Sequence, residues 1–172
     1  MERLIKKIEN GEYLSGKEQC KLLEFPKDII TLYLTHHPFS CGEVITKLVK
    51  TNNTDLLQAH LQQGGSVDLS SQIGIIKNQN FELFKILVNF NALEIGISDA
   101  FLAMEKNTRM MWAKELFPNI RRFCPISGGD IAQTGDCELF RLYVTSNRLL
   151  STDVEVKIIK LGNKDIIKIW IH

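Results

Sequence analysis

The sequence lacks the features that mark several common functional classes. No apolar run approaches the roughly 18 to 20 residues that cross a bilayer, so no transmembrane helix is predicted. The net charge of +1 excludes a strong overall attraction to nucleic acid or to anionic membranes. Cysteine is scarce and no CxxC pair occurs, which argues against a disulfide framework. The four cysteines are widely spaced, at Cys20, Cys41, Cys124 and Cys137.

The amino-terminal segment does not have the apolar centre of a secretory signal. Residues 2–9 alternate charged and aliphatic side chains, with Leu4, Ile5 and Ile8 on one side of an expected amphipathic helix. The sequence therefore predicts a protein that acts in the cytoplasm, or in the host cytoplasm if its source is a pathogen or a virus. We expect one structural domain, with a capping segment and first helix over 1–25 and a stack of repeats over 26–172.

What the sequence does contain is a short pattern that recurs about every 27 residues. An acidic or polar residue precedes two large apolar residues, one polar residue and further apolar ones. The pattern starts at Asp28, Asp55, Glu82, Arg109, Glu138 and Asp165, with steps of 27, 27, 27, 29 and 27. A period of this length predicts stacked supersecondary units, each too small to bury its own apolar face.

Each unit is predicted to hold a short first helix and a longer second helix. The expected first helices run over 16–24, 43–51, 70–78, 97–105, 127–133 and 153–161. The expected second helices run over 26–35, 53–63, 80–90, 107–117, 136–146 and 163–171. Residues suited to cap a helix start precede the second helices, since their side chains can accept a free backbone N–H. They are Asn53, Asn80, Asn107, Asp136 and Asn163, with Pro26 in the first unit.

The segment Asn-Phe-Glu-Leu-Phe-Lys-Ile-Leu-Val-Asn-Phe-Asn-Ala at 80–92 resembles the second helix and exit turn of an ankyrin repeat, as does the segment 53–65. The Thr-Pro-Leu-His-x-Ala motif of that family is absent, and the period is shorter than its usual 33 or so. The resemblance implies an all-α fold, a right-handed solenoid of about six helix-turn-helix repeats with shortened or missing β-hairpins. It also implies protein binding through the concave face and the loop tips.

No catalytic or cofactor site is predicted. The loop His36-His37-Pro38-Phe39-Ser40-Cys41 carries metal-ligand types, but adjacent side chains diverge and a further ligand would have to come from His60 or Cys20. Cys41 with His36 or His37 is the only local thiol–imidazole combination, and nothing beside it offers an oxyanion hole. Ser127-Gly128-Gly129-Asp130 lacks the lysine and the preceding strand of a phosphate-binding loop. We expect neither enzyme activity, a metal nor a cofactor.

The expected binding surface combines loop residues, first-helix residues and an unusual tryptophan. Trp112 occupies the position that Gln58, Lys85, Arg141 and Lys168 hold in other units, so it is predicted to be an exposed hot spot; the alternative is burial beneath the loop 118–128. Trp170 either packs inward over the last unit or belongs to an interface. The full set of candidate partner-binding residues is His36, His37, Lys47, Lys50, Glu105, Trp112, Arg121, Arg122, Phe123 and Trp170.

These features predict a non-catalytic module that binds a protein partner. The ankyrin resemblance and a composition rich in Asn, Lys and Ile favour a pathogen or viral factor that engages a host protein. Two alternatives remain open. The protein could form a homodimer or larger assembly through its carboxy-terminal end, or it could be a nucleic-acid-binding solenoid, which the near-zero net charge disfavours.

Overall fold

The computed structural model describes residues 2–119, 124–146 and 150–171, and within these ranges the chain forms thirteen helices and no strand. The all-α class is therefore confirmed. None of the helices in the described ranges is both long enough and apolar enough to cross a bilayer. The helices are α1 (Glu2–Glu9), α2 (Gly16–Leu22), α3 (Lys27–Leu34), α4 (Gly42–Lys50), α5 (Thr54–Gln62), α6 (Leu69–Lys77), α7 (Phe81–Asn89), α8 (Ser98–Leu102), α9 (Lys106–Asn119), α10 (Gly128–Thr134), α11 (Cys137–Thr145), α12 (Thr152–Leu161) and α13 (Lys164–Ile171).

The helices form two rows. In one row α1, α3, α5, α7, α9, α11 and α13 contact each other in succession, and in the other α2, α4, α6, α8, α10 and α12 do so. The chain crosses from row to row, so that after α1 each even-numbered helix is followed by its odd-numbered partner. We call the even-numbered row the first-helix row. The six predicted pairs of a first and a second helix are thus present behind the amino-terminal helix.

Local capping explains where most second helices begin. The side chains of Asn53, Asn80, Asp136 and Asn163 each accept a hydrogen bond from the backbone N–H three residues further on, at 3.1 to 3.4 Å. A helix start leaves such N–H groups without an intrahelical partner, and a short polar side chain satisfies one of them. The capping predicted at these four positions is confirmed.

The turn inside a unit also repeats with the period of the sequence. Asn52 and Gln79, 27 residues apart, both have φ of 52°, and Gly135 and Gly162, again 27 apart, have φ of 71° and 62°. Each lies between a first helix and its second helix. The Asn80 amide also donates to the Asn52 side-chain oxygen at 2.9 Å, which joins two successive units at this turn.

The fourth unit departs from the predicted register. Its second helix, α9, begins at Lys106, because the Glu105 carboxylate accepts the Thr108 N–H at 3.0 Å and starts the helix early. The predicted cap at Asn107 is therefore wrong, since that residue lies inside α9. The matching start of the pattern is Met111, not Arg109, and the steps from Asp28, Asp55, Glu82, Met111, Glu138 to Asp165 become 27, 27, 29, 27 and 27.

This shift places Trp112 in the core. It now matches the positions of Leu56, Leu83, Leu139 and Ile166, all of which are buried. Its side chain is 0% exposed and packs against the rings of Phe81 and Phe84, with centroids 5.4 and 4.5 Å away. The predicted exposure of Trp112 is wrong, and Met111, which is half exposed, takes the outward position instead.

Arg109 lies inside α9, at the place in the pattern that the capping residues hold in other units, and its side chain has a different role there. Its guanidinium donates to the carbonyl oxygens of Leu102 and Met104 at the end of α8, at 2.6 and 3.3 Å. It also pairs with the Asp136 carboxylate at 2.8 Å, and both side chains are largely buried. Arg109 therefore ends one helix and contacts the cap of the next second helix, which links the fourth and fifth units.

Candidate functional site

In the described part of the chain, open grooves lie between successive helices of the first-helix row, and two of them include predicted binding residues. A groove of about 290 Å³ lies between α2 and α4. A second, of about 210 Å³, lies between the end of α6 and the α8 segment, and Ile76, Lys77, Met104 and Glu105 are among its lining residues. The residues that line the first groove are Cys20, Lys21, Leu23, Glu24, Glu43, Val44 and Lys47. We call it the α2/α4 groove.

Two predicted binding residues lie at or beside the α2/α4 groove. Lys47 and Lys50 are exposed on α4, as the first-helix prediction requires, and Lys47 lines the groove itself. Glu105 is exposed but does not belong to a first helix, because α8 ends at Leu102. Hydrogen bonds from the N–H groups of Asn107 and Thr108 lower the pKa of Glu105 below its usual value. Because α8 ends before it, the predicted placement of Glu105 on a first helix is wrong, although Glu105 lines the second groove.

A buried glutamine fixes the wall of the α2/α4 groove. The Gln19 side chain is 0% exposed, and its oxygen accepts the backbone N–H groups of Ser40 and Cys41 at 2.9 and 3.1 Å. Its amide nitrogen donates to the Leu14 carbonyl oxygen at 2.8 Å. Because a buried amide without partners is costly, this network holds the loop before α4 in one position against α2.

Gln72 repeats this arrangement in the third unit. It is also fully buried, donates to the carbonyl oxygens of Val67 and Ala92 and accepts the Glu94 N–H at 2.9 Å. Sequence reasoning missed both glutamines. One sequence signal could have identified them. Glutamine is the fourth residue of both α2 and α6, whereas α4 has the apolar Ile45 at the same position.

The histidines of the 36–41 loop contact the amino-terminal segment. His37 lies 2.8 Å from the Gly11 carbonyl oxygen, and its ring packs near Tyr13 and Tyr33, with centroids 5.5 and 5.8 Å away. His36 is exposed, whereas His37 is half-buried. Both residues therefore belong to the junction between the start of the chain and the first unit.

His60 is buried and its two ring nitrogens have separate partners. Nδ1 accepts the Phe39 N–H at 3.1 Å and Nε2 donates to the Ser66 carbonyl oxygen at 2.9 Å, a pattern that requires the neutral ring. Burial lowers the pKa of His60 below its ordinary value, although the bond to Ser66 opposes this. Its nitrogens are thus occupied, so His60 is not the additional metal ligand considered for the loop.

In the described part of the chain, Cys41 of the same loop lies close to Cys20 and Glu43 and not to a histidine. Cys41 Sγ lies 3.6 Å from Cys20 Sγ, which in turn lies 3.6 Å from a Glu43 carboxylate oxygen. In the described ranges these three residues form the group whose ligand atoms lie within 4.8 Å of each other, and no histidine is part of it. The hydrogen bond to Cys41 and burial raise the pKa of Cys20 to about 11. Cys20 is therefore a protonated thiol at neutral pH and not an activated nucleophile.

The remaining predicted site residues do not join this surface. Trp112 is buried and cannot contact a partner in this conformation. Arg121, Arg122 and Phe123 lie outside the described residues. Trp170, in α13, is half-buried and packs against the core, whereas the next residue, Ile171, is 67% exposed.

The last helix pair carries a second surface feature. Among the large apolar side chains that are exposed in the described parts of the chain, half belong to α12 and α13. They are Val156, Ile159, Leu161 and Ile171. Exposed apolar side chains that form a contiguous patch are typical of an interaction surface, whereas single ones are common on soluble proteins.

Comparisons with known proteins add no further constraint on the site. No protein-family model matches the chain, and no curated protein or solved structure is significantly similar to it.

Proposed function

We propose that the protein is a non-catalytic binding module that holds a protein partner along its first-helix row. The observation that carries the proposal is the α2/α4 groove, which is open to solvent and lined by charged side chains of both signs over apolar ones. The resemblance of 80–92 to an ankyrin unit supports the same conclusion. In a right-handed ankyrin-like solenoid, the first helices line the concave binding face.

The chemistry of the groove indicates the kind of partner. Two lysines and two glutamates line the groove together with the apolar Leu23 and Val44; they are Lys21, Lys47, Glu24 and Glu43. A segment with charges of both signs and an apolar anchor would match this arrangement, because complementary charges orient a partner and buried apolar area stabilises the complex. The near-neutral chain disfavours nucleic acid in this role. The ankyrin resemblance and the composition favour a host protein as the partner and the cytoplasm as the place of binding.

A photo-crosslinking amino acid at position 47 tests this proposal. The matched control carries it at position 58, because Gln58 is equally exposed but lies on α5 in the opposite row. With eukaryotic cell lysate, we expect one protein to be crosslinked from position 47 and not from position 58. That protein should then bind the wild type in purified form, and its binding should weaken when Lys47 and Lys50 are both changed to Glu. Equal crosslinking from both positions would contradict the proposal.

Self-association through the last helix pair is the second candidate function, and the exposed apolar side chains of α12 and α13 favour it. If it holds, the mass measured by light scattering rises with concentration in the wild type and stays monomeric in Ile159→Glu. Leu32→Glu is the control, since Leu32 is a partly exposed apolar residue on α3, in the first unit. A monomeric wild type at all concentrations would rule this candidate out.

A further inference from the structure

We propose that Cys20, Cys41 and Glu43 form a binding site for one zinc ion, with two thiolates and one carboxylate as ligands and the fourth position open to solvent. The site lies at the α2/α4 groove. It does not depend on the protein-binding function, because it is argued from the spacing and chemistry of three side chains.

The spacing of the three ligand atoms fits tetrahedral zinc. With Zn–S distances of about 2.3 Å and Zn–O distances of about 2.0 Å, a tetrahedral site has sulfur atoms roughly 3.8 Å apart and sulfur and oxygen roughly 3.5 Å apart. The observed separations are 3.6 Å between the Sγ atoms of Cys20 and Cys41, and 3.6 Å between Cys20 Sγ and Glu43 Oε2. All three ligand atoms lie within 4.8 Å of one another. One ion can therefore contact all of them if the Cys41 and Glu43 side chains approach each other by up to about 1.3 Å.

The fold holds the ligands in place before any ion binds. Cys20 is in α2, Cys41 is the residue that precedes α4, and Glu43 is in the first turn of α4. Gln19, next to Cys20, accepts the Cys41 N–H and is itself fully buried. This hydrogen bond fixes the backbone of Cys41 beside α2, so its side chain starts close to that of Cys20. The Cys41 side chain also packs beside Gly16, where an added Cβ would lie 3.6 Å from its sulfur.

The charges around the groove suit a zinc ion held by three anionic ligands. Two thiolates and one carboxylate carry three negative charges, so one negative charge remains once a divalent zinc ion is bound. Lys21 and Lys47 line the same groove and partly offset that charge. Thiolate sulfur favours zinc over magnesium or calcium, which prefer oxygen ligands. Each thiol loses its proton to solvent when the ion binds, so binding strengthens as the pH rises.

A disulfide is the competing outcome for the same pair of thiols. The sulfur atoms are 3.6 Å apart, well beyond the length of about 2.05 Å of a disulfide bond. Forming that bond would remove two protons and two electrons and would need an oxidant such as a peroxide. The measurement is therefore made on reduced, metal-free protein, in which both thiols are available as ligands.

Competition between the protein and a chromophoric chelator for Zn²⁺ tests the proposal. We expect one Zn²⁺ per chain, with binding weakened at least about tenfold in Cys20→Ser, in Cys41→Ser and in Glu43→Gln. Cys137→Ser is the control and should bind like the wild type, because Cys137 is a half-buried thiol at the start of α11. Co²⁺ in place of Zn²⁺ should give the sulfur-to-metal charge-transfer bands and strong visible absorption of a tetrahedral thiolate site.

Three results would overturn the site as assigned. The first is zinc binding in the wild type no tighter than in the Cys20→Ser/Cys41→Ser double variant. The second is unchanged affinity in Glu43→Gln, which would remove the carboxylate from the ligand set. The third is a reduced protein that does not bind Zn²⁺ but readily forms a Cys20–Cys41 disulfide when an oxidant is added. Serine is a favoured residue before a helix, so Cys41→Ser should fold, and the melting temperature of each metal-free variant checks this.

Discussion

At the scale of single residues, close contacts with buried polar groups decide which positions tolerate change. Gly65 lies directly against the His60 ring, and a Cβ there would come within 2.1 to 2.4 Å of three ring atoms. The ring cannot move aside without breaking its bonds to Phe39 and Ser66. Residue 65 must therefore remain glycine for steric reasons.

Gly65→Ala should lower the free energy of unfolding by about 1 to 3 kcal/mol, because it forces an overpacked contact. Gly74→Ala is the matched control: Gly74 is inside α6 and a Cβ there would meet nothing within 4 Å. It should raise stability by up to about 1 kcal/mol, since alanine favours a helix. Urea unfolding of both variants measures the two changes. If both variants changed the free energy of unfolding equally and in the same direction, the steric contact between position 65 and the His60 ring would be contradicted.

The buried neutral His60 should make stability depend on pH. Its pKa is lowered in the folded state, so the unfolded chain takes up a proton more readily once the pH falls below about 6.5. The stabilising contribution of neutral His60 is complete above that pH and is lost progressively below it. Between pH 7.5 and 5.5 this loss is at most about 1.4 kcal/mol, the limit set by the ordinary pKa of the unfolded chain.

Urea unfolding at these two pH values, for the wild type and for His60→Gln, isolates that contribution. Glutamine removes the titrating group and leaves every carboxylate in place. We expect the wild type to lose about 1 kcal/mol more than the variant over this interval. Equal losses in both proteins would show that His60 does not titrate differently in the folded and unfolded states.

At the scale of helices and turns, the same backbone conformation occurs in several units although the residue that adopts it differs. In four of the units the turn between the two helices has a left-handed residue, which is glycine in the fifth and sixth units, Asn52 in the second and Gln79 in the third. An L-residue in this region costs roughly 1 kcal/mol relative to glycine. Gln79→Gly should therefore stabilise the protein by about 0.5 to 1 kcal/mol.

The neighbouring substitution Asn78→Gly is its control. Asn78 directly follows α6 and has φ of −84°, which any L-residue can adopt without strain. Glycine there would therefore only increase the conformational freedom of the unfolded chain. It should destabilise by a few tenths to about 1 kcal/mol. Melting curves of the two variants should move in opposite directions. A loss of stability in Gln79→Gly would contradict the role of the turn.

The sequence was sufficient to predict those helices that depend on local signals. Asn53, Asn80, Asp136 and Asn163 are followed by apolar residues at helical spacing, and their caps and helices lie where expected. The fourth unit could not be predicted in this way, because Glu105 starts α9 early and carries Trp112 into the core. In the sequence alone, the repeat pattern of the fourth unit can start at Arg109 or at Met111. Only the packing of Trp112 against Phe81 and Phe84 shows that Met111 is the correct start.

The candidate site was only partly predictable, for a similar reason. Lys47 and Lys50 follow from the exposed face of α4, which the sequence pattern indicates. Cys20 and His60 were both possible partners of Cys41 in the sequence, and only the packing of α2 on α4 selects Cys20, which is 21 residues away. The network around Gln19 likewise joins segments that no local pattern connects.

At the scale of the whole molecule, the described helices contact mainly their neighbours in the same row. In four units, α4/α5, α6/α7, α10/α11 and α12/α13, the two helices of the unit also contact each other. If each unit is stabilised mainly by its neighbours, as in repeat proteins, the last unit can unfold while the others stay intact. Such a stack also keeps the first-helix row exposed along its length. The binding proposal depends on this exposure, because a partner must be able to reach the first-helix row.

The most direct test is hydrogen–deuterium exchange of Ile166→Ala, which removes a fully buried side chain from α13 and should cost about 2 to 5 kcal/mol. We predict faster exchange in α12 and α13 and unchanged protection in α3 to α7. Leu57→Ala, an equally buried change in α5, should instead raise exchange in the units on both sides of it. Uniformly faster exchange across the whole chain in Ile166→Ala would contradict the stacked architecture.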